Sequence, residues 1–420
     1  MRLAVSVAMA AAHLGGFLTT AASAEPITTV SGEVRIREEY RRHDYSPADP
    51  AGAGKLEFAH MRARLRVDAD IDDHLAVVIE LQDVRVLGEE GSTTADTEGT
   101  DLKRGAIIVR DIGDQPISLE LGRYVMAYGD QRIIGHLEWV DQGRTYDGAL
   151  LKVEARGASV DLFGARVREI AGAQELNLFG SYAGFSPSPV LRVEIYGVGL
   201  EDEQSALGEI AAGTTLFGTF GTRLVLAPDT LDGLEVTSET ALQVGEVRGD
   251  DLLAWAAAIR AEYTLERAPY SPRVGLEFDY ASGDGDPTDG EVRQFQTLFP
   301  TNHLHYGYAD LASWENIVAG RLTLAATLPE AITVSLDVHH LRLADPQGGW
   351  VGASGATIRP GIAGASTHLG DEVDLVVGYE PVGGLALLGG WSYFHTGAFI
   401  DDTGGGDNVH FGYLQARAVF

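Results

Sequence analysis

The sequence predicts an all-β chain, a transmembrane antiparallel β-barrel of about 18 strands with short periplasmic turns and long extracellular loops. Three observations carry that expectation. Apolar and polar residues alternate with period two through segments of roughly ten residues, the length a tilted strand needs to cross a bilayer. The connections between those segments alternate between long and short. The last segment, residues 408–420, is an amphipathic strand that closes on Phe420.

Residues 1–24 predict a secretory signal peptide: one charge at Arg2, an uncharged apolar stretch, and an A-x-A cleavage pattern at Ala22-Ser23-Ala24. Residues 25–420 then form a single outer-membrane barrel domain. No uncharged apolar run there reaches the roughly 18 residues of a transmembrane helix. In 32–39, Gly32, Val34 and Ile36 oppose Glu33, Arg35, Arg37 and Glu39. In 58–70, Met61, Ala63, Leu65, Val67 and Ala69 oppose Arg62, Arg64, Arg66, Asp68 and Asp70. Segments 252–265, 272–280 and 332–339 repeat the scheme, with Ile259, Leu276 and Val338 on their apolar faces. Segments 102–109 and 134–144 carry it least clearly. Asp72-Asp73-His74, Leu328-Pro329-Glu330 and Glu380-Pro381-Val382-Gly383-Gly384 supply short turns. Residues 41–57, 87–101, 344–370 and 396–407 supply long loops. With an even strand number both termini lie on the periplasmic side.

Composition excludes other classes. The chain has no Cys, so it has no disulfide framework, thiolate metal site or cysteine nucleophile. Its 31 Lys+Arg against 61 Asp+Glu give a net charge of −30, which repels nucleic acid. No G-x-S-x-G, H-E-x-x-H, Walker A or G-x-G-x-x-G motif is present, and no enzymatic activity is expected. The histidine pairs His339-His340 and His303-x-His305 are read as structural or rim features. Acidic stretches at 88–101, 201–212 and 282–291 fall in outer loops, where solubility or bridging to lipopolysaccharide through divalent cations accounts for them. Asp284, Asp286 and Asp289 match a calcium loop only in part, so structural Ca²⁺ is the one cofactor considered.

The inward face is basic. Arg35, Arg37, Arg62, Arg64 and Arg66 come from two neighbouring strands and share the lumen parity. Arg123, Arg132, Arg144, Arg260 and Arg321 add to a basic wall suited to carboxylates. The alternative is a set of structural ion-pair ladders inside a general porin.

Several stretches resemble the alginate-export family of outer-membrane porins. The strongest is Gly122-Arg123-Tyr124, then Tyr128-Gly129-Asp130-Gln131-Arg132-Ile133-Ile134-Gly135, Trp139, Arg144 and Tyr146-Asp147-Gly148. The family pattern reads G-R-x, Y-G-D-x-R-L-I-G, W, R and F/Y-D-G, so Ile133 replaces a Leu. A second stretch is Leu276–Asp284 with Phe299–His303 and Tyr306-Gly307, and a third is Gly370–Leu375 with Gly390–Phe394. The matches span residues 27–420, with 150–265 the least recognisable. The resemblance implies a monomeric 18-stranded barrel that passes a polyuronate to the cell surface through an arginine-lined constriction. It implies that Arg123, Asp130, Arg132 and Arg144 sit near that constriction, with Tyr128–Gly135 folded at or into the pore mouth. The expected partners are an anionic polysaccharide or small anionic solute, outer-membrane lipid and lipopolysaccharide, and periplasmic export components. The alternatives are a general or anion- and sugar-uptake porin and a secreted polysaccharide-binding β-protein.

Overall fold

The computed structural model describes residues 27–88, 99–170, 174–202, 215–228 and 231–420. The predicted signal peptide and the acidic residues Glu89, Glu90, Asp96, Glu98, Glu203 and Glu209 lie outside the described residues.

Among the described residues, eighteen long strands form one closed antiparallel sheet. They are β1 Ile27–Arg42, β2 Lys55–Asp70, β3 Leu75–Val86, β4 Asp101–Val109, β5 Ile117–Tyr124, β6 Tyr146–Ala155, β7 Ala158–Ile170, β8 Gln174–Ser188 and β9 Leu191–Asp202. β10 Thr215–Leu226, β11 Leu234–Val247, β12 Asp250–Thr264, β13 Arg273–Ala281, β14 Ile317–Leu328, β15 Ile332–Leu343, β16 His368–Val382, β17 Leu385–Thr396 and β18 Val409–Val419 complete it. Each strand pairs with the next, and β1 pairs with β18 from Glu33↔Val419 to Arg42↔His410. Phe420 and Gly32 exchange backbone hydrogen bonds of 3.1 and 3.0 Å at the seam. Closure leaves no open edge, as a bilayer requires.

The alternation read in the sequence is the inside–outside alternation of the wall. Val34, Ile36, Leu65, Ile107, Ile259, Leu276, Val338 and Leu414 are exposed on the outer face, where lipid replaces water. Glu33, Arg35, Arg37, Arg62, Glu120, Glu194 and Glu277 are buried on the inner face.

The ambiguous segment 102–109 is strand. Segment 134–144 is not: it belongs to a connection, residues 125–145, that leaves the wall and enters the lumen. Gly129, Gln131, Leu137 and Gly143 in it take φ of 52°, 61°, 52° and 60°, left-handed turns that no strand accommodates. Two further long connections, 282–316 and 344–367, also fold inward. Phe295, Tyr306, Trp314 and Trp350 in them are almost fully buried. The inner loops hydrogen-bond to one another: Gly135 N–H donates to Phe299 O at 2.8 Å, and Trp350 Nε1–H donates to Leu311 O at 2.6 Å. Arg359 ties the outer loops together by donating to Pro50 O, Ile400 O and Gly405 O at 2.7, 2.8 and 2.6 Å. The barrel interior is therefore a second core made of loops.

A charge placed on the outer face near mid-strand tests the membrane-facing assignment. Ile259→Arg is expected to cost about 2–4 kcal/mol in vesicle refolding titrations.

Candidate functional site

Residues 125–145 form a strap across the lumen, and the wall holds it at three places. At the first, Tyr128 stacks on Tyr182 with ring centroids 4.4 Å apart and donates its hydroxyl to Asp161 at 2.9 Å. Next to it Asp130 accepts from Arg223 of β10 at 2.6 Å, with Arg260 of β12 at 3.9 Å. The Asp130 carbonyl also contacts His305 Nε2 at 2.8 Å.

At the second, Arg132 reaches β13. It pairs with Glu277 and, at 3.1 Å, with Asp279, and its guanidinium lies 5.3 Å from the Trp314 ring. Glu277 is shared with Arg321 of β14. Inside the strap, Arg144 is spent on carbonyls, donating to Gly135 O at 2.9 Å, Pro300 O at 3.0 Å and Phe299 O.

The third is the most highly charged. Asp141 accepts from Arg35 at 2.5 Å and contacts His60 Nδ1 at 2.7 Å. Glu138 pairs with Arg62 at 3.0 Å and Arg64 at 2.6 Å, and Lys103 donates to Gln142 O at 2.7 Å. Arg37 donates to Trp139 O at 2.7 Å and lies over the Trp139 ring at 4.2 Å, while His303 stacks against that ring at 4.0 Å. Arg62 also pairs with Glu33 at 2.5 Å.

Burial pushes the Asp141 carboxyl up, but the His60 contact, the charge of Arg37 and the hydrogen bond from Arg35 more than reverse this and hold it down at about 2. Burial likewise raises Asp130 and Glu138. Arg223 brings Asp130 below its ordinary value, and Arg64 and Arg62 do the same for Glu138. All three strap acids are therefore anions at neutral pH. Asp141 helps to line a cavity of about 380 Å³, together with Arg37, Arg41, Phe58, His60, Trp139 and Asp310, among others.

The predicted arginines separate by role. Arg35, Arg37, Arg62 and Arg132 are buried against the strap and its partners. Arg144 is tied up in loop carbonyls. Arg64, Arg66, Arg260 and Arg321 face the lumen. Arg66 is paired with Asp68 at 2.6 Å, and Arg260 has only looser contacts of 3.8–3.9 Å with Asp130, Glu235 and Glu262.

Arg123 is a correction. It shares the outward parity of Leu121 and pairs with Asp147 on the outer face at 2.7 Å, so it does not line the lumen. The partial calcium-loop match at Asp284, Asp286 and Asp289 folds as a series of turns. Asp284 accepts backbone N–H from Asp286 at 3.0 Å, Asp286 from Thr288 at 3.3 Å, and Asp289 from Glu291 at 2.9 Å. Each carboxylate caps its own turn, and the three do not converge.

Sequence reading missed Arg223, Lys103, Arg104, Glu138 and Asp141. The inward parity of Arg223 within LFGTFGTRLVL is a usable signal. For Lys103 there is none, because a register shift pairs Glu80 with Arg104 and Leu81 with Leu102, which turns Lys103 inward beside Arg104.

A closed 18-strand sheet, an apolar exterior and a charged, loop-constricted interior define an outer-membrane porin, a non-enzymatic class. The alginate-export family matches residues 27–412, and the chain belongs to that family. Among solved structures, the chain is similar to three proteins of Pseudomonas aeruginosa. For OccK11 (OpdR) the TM-score is 0.61 at 15% identity, covering 93% of this chain and 96% of that one. For OpdO it is 0.64 at 12% identity, covering 94% and 97%. For the outer membrane protein OprD it is 0.61 at 12% identity, covering 96% and 95%. These likenesses show the fold. No curated protein matches the chain in sequence.

Two measurements test the strap. Arg132→Ala leaves Asp279 without its buried cation and Glu277 with Arg321 alone, and is expected to cost about 3–5 kcal/mol in denaturant unfolding of the folded protein. Arg123→Ala should change it by less than about 1 kcal/mol. Because the Asp141 carboxyl is depressed, its contribution is present above its ordinary range near 3.8 and is lost as pH falls toward about 2. Single-channel conductance should be steady from pH 7 to 5 and become noisy only in that acidic window.

Proposed function

We propose that the chain passes an anionic polysaccharide, an alginate-like polyuronate, out of the periplasm along the wall formed by β1–β4. The observation that carries this reading is a line of guanidiniums whose exposure rises away from the strap. Side-chain exposure is 10% at Arg64, 32% at Arg66 and 40% at Arg110. Arg104, at 19%, and Arg417, at 47%, flank that line on β4 and β18.

Each of these groups already shares a carboxylate. Arg66 has Asp68, Arg104 has Glu120, Arg110 has Asp70 and Arg417 has Glu33, at 2.6, 2.6, 2.7 and 2.5 Å. A uronate carboxylate entering this wall exchanges with a resident one. The arriving anion regains charge-assisted hydrogen bonds in place of water, and the displaced acid stays close enough to compete. Contacts remain weak, and the polymer advances by handing its carboxylates from one arginine to the next.

A second reading, passage of a small anionic solute or sugar, is favoured by how completely the inward loops fill the interior. Oligomer length separates the two. Polymannuronate oligomers added from the periplasmic side of a planar bilayer should block conductance with an affinity that rises with chain length. Arg66→Gln should weaken that block about tenfold or more, the loss of one charge-assisted contact of about 1.5–3 kcal/mol. Equal block by neutral oligosaccharides of the same length removes the polyuronate reading. Block by monouronate with no length dependence favours the small-solute reading.

A further inference from the structure

The outer face of the barrel carries a cluster that the pore does not use. His340 of β15 and His368 and Asp371 of β16 meet at the outer ends of these strands. His340 Nδ1 lies 2.7 Å from one Asp371 oxygen and His368 Nε2 lies 3.1 Å from the other. The two imidazoles stack with centroids 5.1 Å apart and planes inclined by 25°. Among the described residues this is the one group of three ligand-type side chains whose donor atoms lie within 4.8 Å of one another.

The backbone is bent to make this meeting. In a regular strand, residues three apart point to opposite faces, so His368 and Asp371 should be separated by the sheet. The β15–β16 pairing shifts register there: Leu341 faces Gly370, but Arg342 faces His368. Leu369 is the extra residue, and both it and Gly370 turn inward and are buried. His368 is thereby brought to the same side as Asp371 and His340, the re-aiming that a β-bulge performs. Gly370 permits it, because a Cβ there would come within 2.3 Å of Phe394 Cζ and 2.4 Å of the His395 carbonyl oxygen.

We propose that His340 Nδ1, His368 Nε2 and an Asp371 oxygen form a binding site for a borderline transition-metal cation, Zn²⁺ being the best match. Two imidazoles and one carboxylate are a common three-protein-ligand set for zinc, which leaves a fourth position for water. Zn–N and Zn–O bonds of about 2.0–2.2 Å need donor atoms a little over 3 Å apart. Reaching it takes an opening of about half an ångström at the His340–Asp371 contact and less at His368–Asp371, with the two imidazole nitrogens, within 4.8 Å of one another, brought to the same spacing by side-chain rotation. Mg²⁺ and Ca²⁺ prefer shells of oxygen and are poor matches. The fourth position faces away from the barrel, and the exposed Arg342 beside it marks a polar level rather than the lipid tails. A bound cation would staple the outer ends of β15 and β16 at the root of the connection 344–367.

The test is titration of Zn²⁺ into the detergent-folded full-length barrel by calorimetry, with Co²⁺ absorption as a second readout. The expected result is one ion per chain at this site and a tetrahedral Co²⁺ spectrum. Affinity should fall at least tenfold in His340→Ala and in His368→Ala. His395→Ala is the control: His395 lies opposite Asp371 on β17 but is engaged with Asn408 at 3.1 Å, and its loss should leave affinity unchanged. Heat-modifiable gel migration verifies that each variant is folded. Wild-type affinity in the folded His340→Ala and His368→Ala variants, or no binding by the wild type, overturns the proposal.

Discussion

The structure depends on electrostatic matching between a loop and the wall around it. The strap brings Asp130, Glu138 and Asp141 into the barrel interior, where an unpaired carboxylate is costly. Arg35, Arg62, Arg64, Lys103, Arg223 and Arg260 project inward at the depth where those acids arrive, and Arg132 inverts the arrangement by meeting Glu277 and Asp279. Once the strap is fixed, the rest of the interior has a surface to pack on. Phe299 and Thr301 pair with its backbone, Trp139 and His303 stack, and the connection 344–367 then rests on 282–316 through Trp350 and Asn302. Removing the charge match would leave the loops without a reason to be inside.

The wall was legible in the sequence because a barrel strand in a membrane has only two environments. Alternation at period two therefore records the fold almost directly, and Val34, Leu65, Ile259 and Leu414 were readable as lipid-facing from spacing alone. The strap was legible only through its motif. Its fold comes from contacts between distant residues, such as Arg35 with Asp141, which leave no local periodicity. Alternation also misleads where the backbone departs from it. Lys103 faces inward only because of a register shift, and His368 joins Asp371 only because of another. Arg123 shows the opposite failure. Its motif placed it near the constriction, yet parity with Leu121, which the sequence also displays, puts it outside.

The motif itself has a structural reason at two glycines. A Cβ on Gly122 would come within 2.3 Å of the Gly105 carbonyl oxygen, and one on Gly148 within 2.0 Å of the Gly164 carbonyl oxygen. These glycines flank Tyr124 and Tyr146, the two fully buried residues from which the strap departs and to which it returns. The Tyr124 hydroxyl donates toward Ala149 O and Gly164 O at 3.1 and 3.3 Å, so it spans the strands that the glycines allow to approach closely. The G-R-Y and Y-D-G signatures thus fix where the strap leaves the wall.

That placement bears on how an anion could cross. The strap consumes the most deeply buried arginines, Arg35, Arg62 and Arg132, in holding itself down, so these cannot also exchange with a moving solute without releasing it. On the proposed path the guanidiniums left to exchange are the less buried ones farther along the same wall, Arg66, Arg104 and Arg110, each balanced by a carboxylate on a neighbouring position of the sheet. Arg64 lies between the two sets: it pairs with Glu138 of the strap and also reaches Gln82 at 2.7 Å. It is therefore the point at which a passing carboxylate would first compete with the strap for a cation. Because Glu138 also holds Arg62, a lost Arg64 contact weakens the anchorage without breaking it. In the proposed path, occupancy by an anion and the position of the strap are then coupled through one shared arginine.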